Sequence, residues 1–234
     1  MRNLILYQPP ATHACSYLQG QQAQSQYIDP RTTLTQHELT QLNQLGFRRS
    51  GRLVYRPNCP ACQACQSTRI RCHDFKLSRS QKRLLNANRD VQLRVTQPTY
   101  QAHYYRLFER YINERHADGD MYPTSPEQFR EFLTEDFGTT RQLEAWRNNE
   151  LIACLVFDLF DDGLSSVYCY FDPSQSERSL GRLMILLITQ LCQARQLPYH
   201  YLGYYVENAP KMAYKRQWQP SERLIRGVWC IGHV

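Results

Sequence analysis

ELIACLVFDLFDDGLSSVYCYFDP, residues 150–173, carries the reading on which the fold turns. Two runs rich in β-branched and aromatic residues flank Asp161-Asp162-Gly163, a turn signal, so the stretch predicts two long strands joined by a tight hairpin. RQLEAWRN (141–148) supplies a strand before it, separated by a turn at Asn148-Asn149. After it come an apolar helix over about 178–195, a strand YHYLGYYV (199–206), and a loop or short helix through KMAYKR (211–216). Upstream, Tyr100, Tyr104, Leu107, Phe108, Tyr111 and Ile112 recur at helical spacing and place one stripe on a core. Ser125-Pro126-Glu127-Gln128 combines a cap, a proline at the first helical position and a capping-box glutamine, which starts a helix holding Phe129, Phe132 and Leu133.

From residue 99 the order is helix, helix, three strands, helix, strand, helix or loop, strand. That pattern predicts an α/β fold built on a mixed sheet with helices on its faces. An acetyltransferase-like fold, that of the N-acetyltransferase superfamily, has this order. Residues 1–98 differ in character and are expected to form a smaller, Cys-rich, basic N-terminal domain, with 99–234 as the second domain. In that first part, residues 1–30 predict a loop with two short strands. Thr35-x-x-Glu38 is a capping box for a helix whose Leu39, Leu42 and Leu45 share a face, with Gly46 able to end it. FRRSGRLVYRP (47–57) predicts a hairpin about Ser50-Gly51, TRIRCHDF (68–75) a strand, and Ser80 the cap of a short helix bearing Lys82, Arg83 and Arg89. VQLRVTQP (91–98) predicts a strand that Pro98 ends.

Charge is placed unevenly. Of the 28 Lys and Arg, 17 fall in residues 1–117 against 6 Asp and Glu, so the front half is strongly positive while the rear half is slightly negative. Such a field draws a polyanion to one side of the molecule. The longest apolar run, MILLI at 184–188, is far short of the about 20 residues a membrane span needs. The first residues lack an apolar stretch of signal-peptide length, so the chain reads as cytoplasmic, with no membrane partner. HExxH, Walker and GxGxxG motifs are absent, and no Ser-His-Asp order is persuasive. His116 is the best isolated histidine.

YRPNCPACQACQSTRIRC (55–72) holds four of the nine cysteines. A reducing compartment disfavours disulfides, and Cys154, Cys169 and Cys192 lie in apolar periodic segments as core thiols. Cys59-x2-Cys62-x2-Cys65 has the spacing at which thiolates can share one zinc ion or iron–sulfur centre, and Cys15 or Cys72 would have to supply a fourth ligand. Free, tightly turned thiols are the alternative. Arginines flank this turn on both sides, in FRRSG and STRIR, and their forks suit phosphate and carboxylate alike. A second dense patch, YHYLGYYVENAPKMAYKRQWQP (199–220), interleaves tyrosines and Trp218 with Lys211, Lys215 and Arg216. Aromatic rings can stack on bases while cations meet phosphate. In a third, Arg178-Ser179-Leu180-Gly181 opens a helix where free N–H groups can receive an anion, but its single glycine does not make a full coenzyme A cradle.

CSYL (15–18), LGFRRSG (45–51), YRPNCPACQACQSTRI (55–70), FKLSRSQKR (75–83), RYINERHADGDM (110–121), DGLSSVYCYFDP (162–173), RSLG (178–181) and the 201–220 segment together resemble the arginyl-tRNA–protein transferase family, in its bacterial, leucine-transferring branch. They cover nearly the whole chain in family order. The resemblance implies an aminoacyltransferase that takes leucine from charged tRNA and places it on proteins beginning with Asp or Glu, an N-degron reaction with no DNA partner and no cofactor required for transfer. Arginine transfer, a coenzyme A-dependent N-acetyltransferase and a non-catalytic RNA-binding zinc protein stay open as alternatives. It implies an acetyltransferase-like second domain holding aminoacyl-tRNA in place of acyl-CoA, and a metal set drawn from Cys15, Cys59, Cys62 and Cys65. As polar residues at element ends within these dense motifs, Tyr170, Asp172, Arg178 and Lys211 are expected at the transfer centre, with Asp172 either the proton acceptor or, beside Pro173, a turn residue. Lys82, Arg83, Tyr214, Lys215 and Arg216 are expected on the tRNA, and Arg48, Arg49 and Arg69 on the acidic N-terminus, with the acceptor-stem phosphate the other reading for Arg48 and Arg49. Both groups must then face one cleft.

Overall fold

The computed structural model describes residues 2–232. In chain order the strands are β1 (Leu6–Tyr7), β2 (His13–Ala14), β3 (Gln22–Ala23), β4 (Ser25–Ile28), β5 (Arg48–Ser50), β6 (Leu53–Pro57), β7 (Gln66–Arg71), β8 (Gln92–Thr96), β9 (Thr140–Arg147), β10 (Glu150–Phe160), β11 (Gly163–Phe171), β12 (Tyr199–Tyr205), β13 (Ser221–Ile225) and β14 (Val228–Ile231). The helices are α1 (Gln36–Gln44), α2 (Arg79–Ala87), α3 (Ala102–Arg115), α4 (Pro126–Phe129) and α5 (Leu180–Ala194). The 150–173 hairpin is β10 and β11, and it lies within an eight-stranded sheet of order β14-β13-β7-β12-β11-β10-β9-β8. Only the β11–β12 neighbours run parallel, so the sheet is mixed, as the sequence predicts.

Side-chain alternation makes β10 the centre of two layers. Ala153, Leu155 and Phe157 pack with Leu183, Met184 and Ile188 of α5, whereas Cys154 and Val156 pack with Tyr104, Phe108 and Ile112 of α3. A strand covered on both faces reads as an unbroken apolar run, which is why ELIACLVFDLF shows no polar alternation. Asn148 and Asn149 both take left-handed backbone (φ 49° and 63°), the geometry a two-residue hairpin turn needs.

The smaller sheet, β1-β4-β6-β5, shares its core with α1. Thr35 Oγ1 accepts from the Glu38 N–H (3.2 Å) and the Glu38 carboxylate accepts from the Thr35 N–H (2.9 Å), closing the predicted capping box. The start of α2 differs from expectation. Its cap is Ser78, because the reciprocal bond comes from Gln81 three residues on, and Ser80 sits inside the first turn. Cys72 is also reassigned: it is fully buried in the cluster that contains Cys192, a core thiol and not a ligand. The large sheet takes β7 and β8 from before residue 99 and its other strands from after it, so hydrogen bonding runs continuously across the expected domain boundary.

Candidate active site

The site begins where the parallel pair ends. β11 and β12 are laddered only over Gly163–Ser165 with Tyr199–Tyr201. Gly163 permits this close start, since a Cβ there would lie 2.2 Å from the Tyr199 carbonyl oxygen. Beyond it, β12 follows β7 through a register shift at Tyr201/Gly203, where Gly203 takes φ +81°, while β11 continues along β10 to Phe171. The strands therefore diverge, and a cleft of about 940 Å³ opens between them. Ser166, Tyr168 and Phe171 line one side, and Gly203, Tyr204, Lys211, Tyr214 and Lys215 another. Tyr17, Phe47, Arg48, Arg49 and Tyr55 form the wall from the front of the chain, and the start of α5 contributes Ser179–Arg182. The arginine-bearing front and the aromatic rear segment thus face one space, as a shared substrate requires.

Arg48 and Arg49 are adjacent in sequence and opposite in character. Arg49 is saturated: Nε donates to Asp158 Oδ2 (2.7 Å), and Nη2 donates to Asp158 Oδ1 (3.1 Å) and Thr140 Oγ1 (3.2 Å). Arg48 is buried against the rings of Tyr201 and Tyr204, and its Nη1 donates to the carbonyls of Asn43 (3.2 Å) and Phe47 (2.8 Å) and to Asn43 Oδ1. Its Nε and Nη2 are buried with no acceptor. Among the described residues lining the cleft, Asp158 is the one acid, and Arg49 holds both its oxygens. Arg48 is therefore a buried cation without a counter-charge, which burial pushes below the usual arginine range. Lys215 stands nearby with Nζ donating to the Tyr204 carbonyl, and burial, then Arg48, push it down to about 7.

The other expected residues divide between cleft and scaffold. Lys211 lines the cleft and pairs with Asp118 at 2.8 Å. Tyr214 lines it too, and Arg216 beside them donates to the Tyr205 hydroxyl and, at 3.1 Å, to the Glu207 carbonyl. Lys82 and Arg83 are exposed on α2. Arg69 lies outside the cleft lining, sandwiched by Tyr199 and Trp229 and paired with Glu222 at 2.7 Å. Tyr170 faces α3 instead of the cleft, fully buried among Phe108, Phe129 and Cys154. Asp172 caps the 3-10 segment Pro173–Arg178. Burial raises that carboxyl, but bonds from Ser174 and Gln175 and the charge of Arg110 outweigh it and hold it below the ordinary range. A carboxylate so occupied is a weak proton acceptor. Arg178 clamps Asp90 with two bonds (2.9 and 3.0 Å), tying the end of α2 to the start of α5.

Cys15, Cys59, Cys62 and Cys65 do line one hollow of about 440 Å³. Burial and then the neighbouring sulfurs push the Cys65 thiol up to about 11. Among the described residues, no three His, Cys, Asp or Glu side chains are gathered closely enough to hold an ion, so the expected metal set is not assembled as one. No helix among them is long and apolar enough to cross a membrane.

Sequence reading missed Ser166, Tyr168 and Phe171, which the strand divergence exposes, and it missed the buried His200 behind Ser166.

The arrangement is a positively charged, aromatic-walled cleft at a sheet opening, suited to a ligand with carboxylate or phosphate and a planar base. The family model "Arginine-tRNA-protein transferase, C terminus" matches residues 103–225, and that for the N terminus matches 13–83. The aspartate/glutamate leucyltransferase of Alcanivorax borkumensis is 42% identical over 229 residues, covering 98% of this chain and 94% of that protein. That of Acinetobacter baylyi is 43% identical over 97% of this chain and 84% of its own, and that of Marinobacter nauticus 41% over 98% and 96%.

Proposed function

The chain belongs to the arginine-tRNA-protein transferase family, and from that premise we propose that it moves leucine from charged tRNA to the α-amine of proteins beginning with Asp or Glu, a cytoplasmic N-degron reaction. The unpaired guanidinium of Arg48 in the cleft is the observation that carries the acidic specificity. An aspartate or glutamate side chain in the cleft supplies the counter-charge Arg48 lacks, and Lys215 adds a second cation. The cleft between β11 and β12 is an acetyltransferase-like wedge holding an aminoacyl ester where relatives of that fold hold a thioester. Residues 1–98 supply the basic wall and 99–234 the transfer centre. Lys211, Tyr214 and Arg216 meet the tRNA end, and Lys82 and Arg83 meet acceptor-stem phosphates.

The ester is already activated, so orientation and a neutral amine carry the reaction. The amine nitrogen bonds to the ester carbonyl carbon, the bond to the ribose oxygen breaks, and the amine's surplus proton ends on that oxygen. Asp172, Arg178 and Tyr170 set the shape of the loop and strand beneath, and no step passes through a metal. Purified protein given radiolabelled leucyl-tRNA, arginyl-tRNA and acetyl-CoA in turn, with peptides starting Asp, Glu or Ala, is expected to place leucine on the Asp and Glu peptides alone. Transfer from acetyl-CoA, or of arginine in leucine's place, would refute the assignment.

Binding should take up a proton. In the free protein Lys215 loses its charge through about pH 7, and a carboxylate beside it raises that value, so between the two values a Glu peptide binds together with a proton. Affinity then falls as pH rises above 7. Calorimetric titration at pH about 8 in buffers of different ionisation enthalpy should register a proton uptake larger than that of Lys215→Gln by up to about one proton per peptide, since release from the peptide's own amine is common to both. In the free protein the sign is opposite: the unfolded lysine titrates near about 10.4, so the burial cost is full below pH 7 and is relieved as pH climbs toward that value.

A further inference from the structure

Ser166 is the first side chain of β11 past the last laddered pair, Ser165 with Tyr201, and it lines the cleft where the strands part. The β10–β11 register also shifts just beyond it, between Phe157↔Ser166 and Val156↔Tyr168. Behind Ser166 runs a chain of uncharged hydrogen bonds, and the Thr189 bond to its helix carbonyl assigns the direction. Thr189 Oγ1 donates to the Ile185 carbonyl (2.9 Å), so toward His200 Nδ1 (2.9 Å) it can only accept. Nδ1 therefore carries the ring proton, and the Nε2 lone pair accepts the hydrogen bond that the Ser166 hydroxyl donates at 2.8 Å. His200 is fully buried, and burial pushes it down to about 3, so the ring stays neutral at working pH. The chain ends at an oxygen with lone pairs toward the cleft and no proton to offer.

We propose that Ser166 holds the attacking α-amine: its oxygen accepts one N–H of the neutral amine and turns the nitrogen lone pair toward the ester carbonyl, while His200 and Thr189 act as positioning residues by keeping the serine proton inward. This rests on the transfer reaction proposed above. An acceptor without a free proton matches an N–H donor and does not match an ester carbonyl or an oxyanion, which need donors. Ser166 keeps its own proton throughout. It is not a nucleophile, because its proton would have to settle on a ring that burial keeps neutral.

Ser166→Ala is expected to lower kcat/KM for leucine transfer to a Glu peptide by about 10- to 100-fold, with the cost in kcat and the KM for leucyl-tRNA unchanged. The pH profile should keep its midpoint, set by the amine, where loss of a general base would displace it. Ser166→Thr, which retains the oxygen, should stay near wild type and also controls for any folding defect. His200→Phe should lose as much as Ser166→Ala, and the double variant no more, as expected of residues acting as one unit. Wild-type kcat in Ser166→Ala, a displaced midpoint, or additive losses in the double variant would overturn the proposal. So would a defect that vanishes when the tRNA ends in 2′-deoxyadenosine, since the contact would then be to the ribose. Failure of the wild type itself to transfer leucine would instead remove the underlying reaction.

Discussion

Arg48→Met is expected to lose about 100-fold or more of kcat/KM on Asp and Glu peptides while being no less stable than wild type. Truncating one partner of a buried, hydrogen-bonded charge pair costs about 2–5 kcal/mol, and 3 kcal/mol is a factor of about 150. That partner is absent until substrate arrives, so the loss appears in catalysis and not in folding. In the free protein the guanidinium is desolvated, repelled by Arg69 and left with two N–H groups unpaired. Methionine removes that burden, keeps much of the stem packed on Tyr201 and Tyr204, and gives up bonds to Asn43 and Phe47. Steady-state transfer to Glu and Ala peptides, with thermal melts of both proteins, checks the pair of expectations. Arg48→Lys should fall between, because an ammonium keeps the charge and loses the fork. A variant that melts several degrees lower, or that still distinguishes Glu from Ala, would mean that Arg48 is scaffold.

What the sequence could and could not show follows from the range of the interactions involved. Local chemistry was legible: the Thr35 and Ser125 caps, the Asn148-Asn149 turn and the stripes of α3 and α5 all depend on residues a few positions apart. The cap of α2 was misplaced by two residues because two serines compete there and only Ser78 has a glutamine at the reciprocal position. Roles that depend on what lies across the sheet were not legible. Tyr170 and Phe171 differ in access because α3 covers one face of β11, and nothing in VYCYF says which face. The arginines carry the same lesson. RR at 48–49 looks like one basic feature, yet one guanidinium meets an aspartate 109 residues away and the other meets no acid.

That distant aspartate sets the largest stability effect. Asp158→Ala should destabilise the protein by about 3–5 kcal/mol, the cost of leaving a buried cation without its carboxylate. Arg49 and Asp158 are each about 5% exposed. Thr140, paired with Asp158 across β9 and β10, donates to Oδ1 at 2.7 Å and receives Arg49 Nη2, so removing the carboxylate strands three donors at once. Replacing both partners is a different experiment. Arg49→Met with Asp158→Leu leaves no unpaired charge, and apolar replacement of a buried pair is commonly neutral or stabilising. Denaturant unfolding should therefore place the double variant near wild type and the single Asp158→Ala far below it. The double variant also separates the two arginines by function. With Arg48 intact it should still prefer Glu over Ala peptides by the wild-type margin, because the group that reads the acid is the one with no acid partner in the protein. A well-folded double variant that has lost this preference would assign substrate recognition to Arg49, and would require Asp158 to release it when the peptide binds.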